Sequence, residues 1–317
     1  MKITTPVLFL IFNRPSTTQK VFDIIKQVKP SKLFVASDGP REGNINDERL
    51  CKQARKITDQ VDWECDVKYL YRDNNLGCRL AITSGIDWFF EHVDEGIILE
   101  DDCLPSKSLF SFHQELLKKY RDDNNVMQIN GDFYLDGEMD FENSYYFSTL
   151  NACWGWATWK RAWSMFDSKM SGYYDFKEKG RINSYFNNKD ISNWMVSYLD
   201  EAVLPNCSIW STQWAYAIIK SGGLSITPTK NLVKNIGFCG DGTTESKGFE
   251  LYMNFDIDHI NHIEHPSKFE HNIQADELHF KTVIKITDPR LTQIKKYRFI
   301  KTLIPAWIKK IMKRIIY

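Results

Sequence analysis

Gly96-Ile97-Ile98-Leu99 is a short apolar strand that runs directly into three acids, Glu100-Asp101-Asp102. A strand apolar at every position is buried on both faces, the habit of parallel strands covered by helices. Ligands bind outside the carboxyl ends of such strands, and hard divalent cations take oxygen ligands. The acid cluster therefore predicts a Mg²⁺ or Mn²⁺ ion carrying a phosphate-containing substrate. A lone pair of aspartates would also serve to cap the helix that starts near Ser106.

The preceding residues place that strand in an alternating series. Pro6 to Phe12 is an apolar strand, followed by a helix in which Val21, Ile24, Ile25 and Val28 recur with helical spacing and Ser16 is the expected cap. Lys32 to Ser37 is a second strand, closed by the turn signal Asp38-Gly39-Pro40. Asp47 to Val61 reads as helix, Cys65 to Tyr71 as a third strand, and Cys78 to Phe90 as another helix before the acid-tipped strand. Strands alternating with helices imply right-handed crossovers and a mostly parallel, Rossmann-like sheet flanked by helices. The polar groups then converge on one sheet edge: Asn13 and Arg14, Asp38, Arg72, and finally Asp101 and Asp102.

Beyond Ser106, Leu109, Phe112, Leu116 and Leu117 define a packed helix, and Val126 to Ile129 a short strand. Trp194 to Leu204 and Gln213 to Ser221 read as helices, and Leu232 to Gly248 as a glycine-rich loop suited to covering a ligand. The expected organisation is a nucleotide-binding α/β half over residues 1–130, an acceptor-binding and catalytic half over 131–290, and a distinct segment over 291–317. That last segment carries no acid from Lys295 onward. Ile300, Leu303, Ile304, Trp307, Ile308, Ile311, Met312 and Ile315 share one helical face, opposite Lys309, Lys310, Lys313 and Arg314. Such a helix lies in the plane of an anionic membrane; the other reading is a terminal helix docked on the core.

Several classes of function are disfavoured. The 41 basic and 41 acidic residues cancel, and positive charge gathers in one terminal segment, which argues against nucleic acid. The 7 cysteines form no zinc-spaced set, and their scatter and odd number point to a reducing compartment. His259, His262, His265, His271 and His279 are crowded without matching a metal motif. No apolar run is long enough to cross a bilayer, and the chain's start reads as a strand rather than a signal peptide. A cytoplasmic protein, peripheral on the inner face of the membrane, is the expectation.

Individual residues suggest roles. One acid can ligate the metal while its neighbour holds a sugar hydroxyl or a metal-bound water, because adjacent side chains of an extended segment point to opposite faces. Asp38 can accept the N–H of a pyrimidine, or simply bond its own turn. Arg14 can fork onto a diphosphate or onto the carboxylates. Arg72 and Arg79 flank the turn Asp73-Asn74-Asn75-Leu76-Gly77, and either can meet a nucleotide or a surface acid. The aromatic run from Trp154 to Trp159, Trp156 included, can line a sugar groove or pack as core.

Four segments together resemble a known family: Pro6-Val7-Leu8-Phe9-Leu10-Ile11-Phe12-Asn13-Arg14-Pro15, Ser37-Asp38-Gly39-Pro40, Glu100-Asp101-Asp102, and Trp154-Gly155-Trp156-Ala157-Thr158-Trp159. They resemble bacterial sugar transferases of the GT-A, nucleotide-diphospho-sugar transferase fold, distantly similar to the N-acetylglucosaminyltransferase I enzymes, over roughly residues 5 to 245. The resemblance implies that Asp38 holds uracil, that Arg14 binds the nucleotide, that Asp102 ligates Mn²⁺ through the donor diphosphate, and that Asp101 lies near the donor sugar. It also implies a Trp-Asp pair supplying the catalytic base. This chain has Trp210-Ser211 there, and a serine is no carboxylate base. In the family's later Asn-Ile-Gly-Phe segment, Gly240 and Thr244 replace a glutamate and a histidine, which leaves Asp241 as the candidate base.

The expectation is a metal-dependent glycosyltransferase that moves a sugar from a UDP-sugar to a hydroxyl of a surface glycan such as lipopolysaccharide or capsule, or of a lipid-linked acceptor, with inversion. Two rivals stay open. A nucleotidyltransferase would share the nucleotide and metal half and release pyrophosphate. A non-catalytic glycan-assembly protein would keep the fold alone.

Overall fold

The computed structural model describes residues 2–204, 207–237, 255–288 and 291. The first half follows the expected alternation: β1 (Val7–Ile11), α1 (Pro15–Val28), β2 (Lys32–Ser37), α2 (Ile45–Thr58), β3 (Asp66–Tyr71), α3 (Gly77–His92) and β4 (Glu95–Glu100). Then come β5 (Cys103–Pro105), α4 (Lys107–Lys119), β6 (Val126–Ile129), β7 (Tyr145–Ser148) and β8 (Trp156–Trp159). Three short helices, α5 (Lys160–Trp163), α6 (Tyr173–Glu178) and α7 (Arg181–Phe186), lead to α8 (Lys189–Ala202) and α9 (Ser211–Ser221). The described chain finishes with β9 (Leu224–Pro228), β10 (Val233–Asn235), α10 (Ile273–His279), a π-helical turn Phe280–Ile284, and α11 (Lys285–Thr287).

Eight strands form one sheet in the order β3-β2-β1-β4-β8-β6-β9-β7, while β5 and β10 pair separately. The predicted parallel sheet is found over β1 to β4. The other half is mixed, because β8 enters antiparallel to β4 and β6, and β7 antiparallel to β9. The strands of residues 131–290 thus extend the sheet begun by residues 1–130. Residues 292–317, where the basic amphipathic segment falls, lie outside the described residues. Among the described residues no helix is long and apolar enough to cross a membrane.

The apolar strands are buried for the reason their sequences imply. Val7, Phe9 and Ile11 of β1 join one core with α1, α2 and α4, whereas Leu8 and Leu10 join another with α3 and α9. Alternate side chains face opposite layers, and each buried aliphatic chain contributes about 2 kcal/mol. The expected cap at Ser16 is not used. Pro15 starts α1 with Arg14 as its N-cap, so Ser16 is already helical.

His113 joins α4 to the turn before β8. Its Nε2 lies 2.9 Å from the Gly155 carbonyl, and the ring is buried. Burial pulls the imidazole down to about 4, against the bond to Gly155. The folded state therefore binds fewer protons than the unfolded one between the ordinary histidine range and about 4, and stability drains as pH falls through that window. Replacing His113 with asparagine removes this slope. In denaturant titrations the variant is the less stable protein at neutral pH, and the gap narrows by ~2–3 kcal/mol near pH ~4.5.

Candidate functional site

The carboxyl ends of β1, β2 and β4 open on a cleft of ≈ 600 Å³. Arg14, Asp38, Arg72, Glu100, Asp101 and Asp102 all line it, so the convergence read from the sequence is found in space. β4 ends at Glu100, and Asp101-Asp102 form a turn before β5. That turn corrects the expectation of opposite faces. The Arg14 guanidinium reaches both acids, with Nη1 2.7 Å from Asp102 Oδ2 and 3.8 Å from Asp101 Oδ1. Asp101 also accepts the Phe12 N–H at 3.1 Å, which ties the acid turn to the end of β1.

Three carboxylates share this one arginine. Burial and then the charges of Asp102 and Asp101 push Glu100 up to about 8. Burial, followed by the charge of Asp102, pushes Asp101 up to about 7. Such a site is short of positive charge, and its hard oxygen donors suit Mg²⁺ or Mn²⁺. Among the described residues no group of three or more His, Cys, Asp or Glu side chains forms a metal cage. The protein therefore offers a partial shell at Asp102, which phosphate oxygens and water would complete.

A strap crosses Asp102. β10 pairs antiparallel with β5, and Ile236 N–H donates to the Asp102 carbonyl at 2.7 Å. A Cβ at Gly237 would sit 2.3 Å from Asp102 Oδ2, so only glycine leaves room for the carboxylate. Gly237→Ala is expected to displace that carboxylate and to weaken Mn²⁺-dependent UDP binding at least ~10-fold by calorimetry, with little change in melting temperature.

The opposite wall is set by Asp38. Its Oδ1 accepts from Gly39 N and Leu76 N, both at 2.9 Å, and its Oδ2 from Asn75 Nδ2 at 2.9 Å and Gly77 N at 3.2 Å. A carboxylate has about four lone-pair sites, and four donors occupy them. Asp38 thus latches the loop before α3 onto the end of β2 and has no site left for the N–H of a base in this arrangement. Burial raises its pKa, opposed by the bonds from Leu76, Gly39 and Gly77.

Arg72 lines the cleft and donates to Ser84 Oγ at 2.6 Å, with no carboxylate within ion-pair distance among the described residues. Arg79 is not part of the lining. Cys78, Ala81 and Ile82 carry the face of α3 that meets the cleft, and Arg79 falls about 100° off it. Arg41, which the motifs did not single out, does line the cleft. The buried Asp47 holds it through Nε at 2.5 Å and Nη2 at 2.9 Å, and also takes Asn13 Nδ2 at 2.8 Å. Those bonds from Arg41, acting against burial, hold Asp47 down at about 2. The signal in the sequence was a cation just past the strand-ending Asp38-Gly39-Pro40.

Trp154, Tyr198, Ile209, Ser211 and Thr212 form the remaining wall. Trp156 does not contact the cleft, contrary to its assignment as a ligand-binding residue. It is fully buried in β8, stacked on Trp210 at 5.7 Å and tilted against Trp214 at 6.0 Å. Gly155, at φ +54, makes the turn that sends Trp154 to the cleft and Trp156 to the core. Ser211 is at the cleft, at the start of α9. Asp241 lies outside the described residues, as do Gly240 and Thr244. The histidines serve elsewhere: His265 bonds the Tyr145 hydroxyl, and His271 pairs with Asp276.

No protein-family model and no curated protein matches the sequence. Solved structures give partial likenesses. UDP-glucose pyrophosphorylase complexed with UDP-glucose is 12% identical over 51% of this chain and 71% of its own, with a TM-score of 0.29. The 4-diphosphocytidyl-2C-methyl-D-erythritol synthase of Anaerococcus prevotii is 13% identical over 51% and 73%, at 0.32. HddC from Yersinia pseudotuberculosis, complexed with GMP-PN, is 8% identical over 50% and 78%, at 0.30. At these scores the likenesses carry no weight in the functional argument, which rests on the site.

Proposed function

We propose that the protein transfers a sugar from a nucleoside-diphosphate sugar, with UDP as the nucleotide, to a hydroxyl acceptor. The observation that carries this reading is the acid cluster Glu100-Asp101-Asp102, short of positive charge beside Arg14, in a cleft whose other wall holds Arg72, which has no ion pair among the described residues. Such a cleft accepts a metal and a diphosphate together.

The residues divide the work. Asp102 would hold Mg²⁺ or Mn²⁺ jointly with the phosphates, and the ion, when bound, offsets charge on the departing diphosphate. Arg14 is placed to swing between Asp102 and a phosphate oxygen. Arg72 and Arg41 supply donors toward the nucleotide, and the loop latched by Asp38 shapes the base slot. Asp101 stands where a sugar hydroxyl would meet a carboxylate. The acceptor would be a surface or lipid-linked glycan, and the basic segment over 291–317 would bring the protein to the membrane.

A panel of nucleotide sugars with Mn²⁺, scored for released product, tests the reading. Release of UDP from one donor is expected. Release of pyrophosphate from UTP and a sugar phosphate would replace it with nucleotidyl transfer, a reading favoured by the absence of any carboxylate at Ser211. Absence of metal-dependent UDP binding would remove the donor site altogether.

A further inference from the structure

Asp38 is committed to its own loop, so a base entering the slot has to be read by other groups. Two side chains that line the cleft beside it are only half used. Asn75 donates both hydrogens of Nδ2, to Asp38 Oδ2 and to the Gly39 carbonyl, each at 2.9 Å. Both partners are pure acceptors, so the amide cannot be turned over. Its Oδ1 has no partner among the described residues and is left as an acceptor on the cleft wall.

Arg41 supplies the opposite polarity. The buried Asp47 takes its Nε and Nη2 together, a fork that fixes the guanidinium plane. That plane's carbon lies 5.9 Å from the centre of the Phe12 ring, which also lines the cleft. Asp47 is itself held, by Asn13 Nδ2 at 2.8 Å and through its own N–H by the Asn44 side chain at 3.1 Å. Arg41 Nη1 has no partner among the described residues and keeps two N–H donors. The Gly39 carbonyl gripped by Asn75 stands two residues before Arg41, which puts donor and acceptor at the same end of the cleft.

We propose that Arg41 Nη1 and Asn75 Oδ1 set the base specificity of the nucleotide site: the arginine donates to a ring carbonyl, and the amide oxygen accepts the adjacent ring N–H. This deepens the nucleotide-sugar reading above and rests on it. Uracil presents that pair at O4 and N3–H, and thymine presents the same. Guanine carries the same edge on a larger ring. Cytosine and adenine reverse it, with an amino group in place of the carbonyl and a bare ring nitrogen beside it. A reversed edge sets donor against donor and acceptor against acceptor. Polar groups left unmade in this way cost more than made ones return. The pair therefore fits a base with an imide edge and refuses one with an amino edge.

The test is calorimetric titration of the full chain, with Mn²⁺, by UDP, CDP and ADP in turn; no donor sugar or acceptor is needed. The wild type is expected to bind UDP about 30-fold more tightly than CDP, and ADP no better than CDP. Arg41→Gln replaces a pure donor with an amide that can turn over, and Asn75→Ala removes the acceptor. Each is expected to bring the ratio of UDP to CDP affinity within about fivefold, chiefly by weakening UDP. The ratio is the readout because a loosened loop would weaken both nucleotides together. Arg49→Gln removes a nearby positive charge from an exposed position on α2 outside the cleft lining, and is expected to keep the wild-type ratio. A ratio that stays near the wild-type value in either Arg41→Gln or Asn75→Ala would overturn the proposal. So would a wild type that binds CDP as tightly as UDP. Wild-type protein that binds no nucleoside diphosphate with Mn²⁺ would instead overturn the nucleotide-sugar reading beneath it, so the two failures are told apart.

Discussion

Replacing Asp102 with alanine should abolish the dependence of UDP binding on Mn²⁺ without destabilising the metal-free protein. In calorimetric titrations the wild type should bind UDP ~100-fold more tightly with Mn²⁺ than without it, a difference of about 3 kcal/mol. The variant should show the same weak affinity in both. The stability half of this expectation follows from the electrostatics of the turn. Asp102 loses its bond to Arg14, a part-exposed ion pair worth ~1 kcal/mol or less. Its departure also removes the charge that pushes Glu100 and Asp101 upward. The two effects offset, so the metal-free melting temperature should hold or rise slightly. A carboxylate kept for scaffolding would give the reverse pattern: a lower melting temperature and an unchanged response to Mn²⁺.

Asp38→Ala should act on the protein before any nucleotide arrives. The change strips the acceptor from Gly39 N, Leu76 N, Gly77 N and Asn75 Nδ2 together. The loop before α3 lies partly at the surface, so water recovers some of these bonds. A net loss of ~2–4 kcal/mol is expected, seen as a fall of roughly 5–10 °C in the melting temperature of the nucleotide-free protein. UDP affinity should fall as well, because the slot edge formed by Asn75 and Gly77 moves with the loop. A residue that only met the base would behave differently. Its loss would leave the nucleotide-free melt untouched and lower UDP affinity alone. Comparing the two melts decides between latch and base contact.

The sequence went far on the first half of the chain because its signals there are local. An apolar run buried on both faces, such as Val7–Ile11, needs helices on both sides, and the strand ends then fall on one edge whatever the details of packing. Arg14, Asp38, Asp101 and Asp102 were legible for that reason. Roles within the edge were less so. That Asp101 and Asp102 face the same arginine depends on β4 stopping at Glu100, one residue before the pair. Arg79 and Cys78 are neighbours in the chain, yet the helical turn sends only Cys78 to the cleft.

The aromatic segment shows the limit most clearly. Trp154 and Trp156 carry identical side chains two positions apart. A strand would put both on one face, but the positive φ at Gly155 breaks that alternation, and three packed tryptophans, Trp163, Trp210 and Trp214, meet Trp156 on the core side. Nor could spacing reveal Asn75 bonded to Asp38, since they are 37 residues apart in the chain. By itself the sequence determined the layered sheet and the acid-and-arginine edge, because burial pattern and strand order are properties of short segments. Only the tertiary structure decided which of those polar groups are spent on one another and which are left for a ligand, because hydrogen-bond partners come from distant parts of the chain and each lone pair is used once.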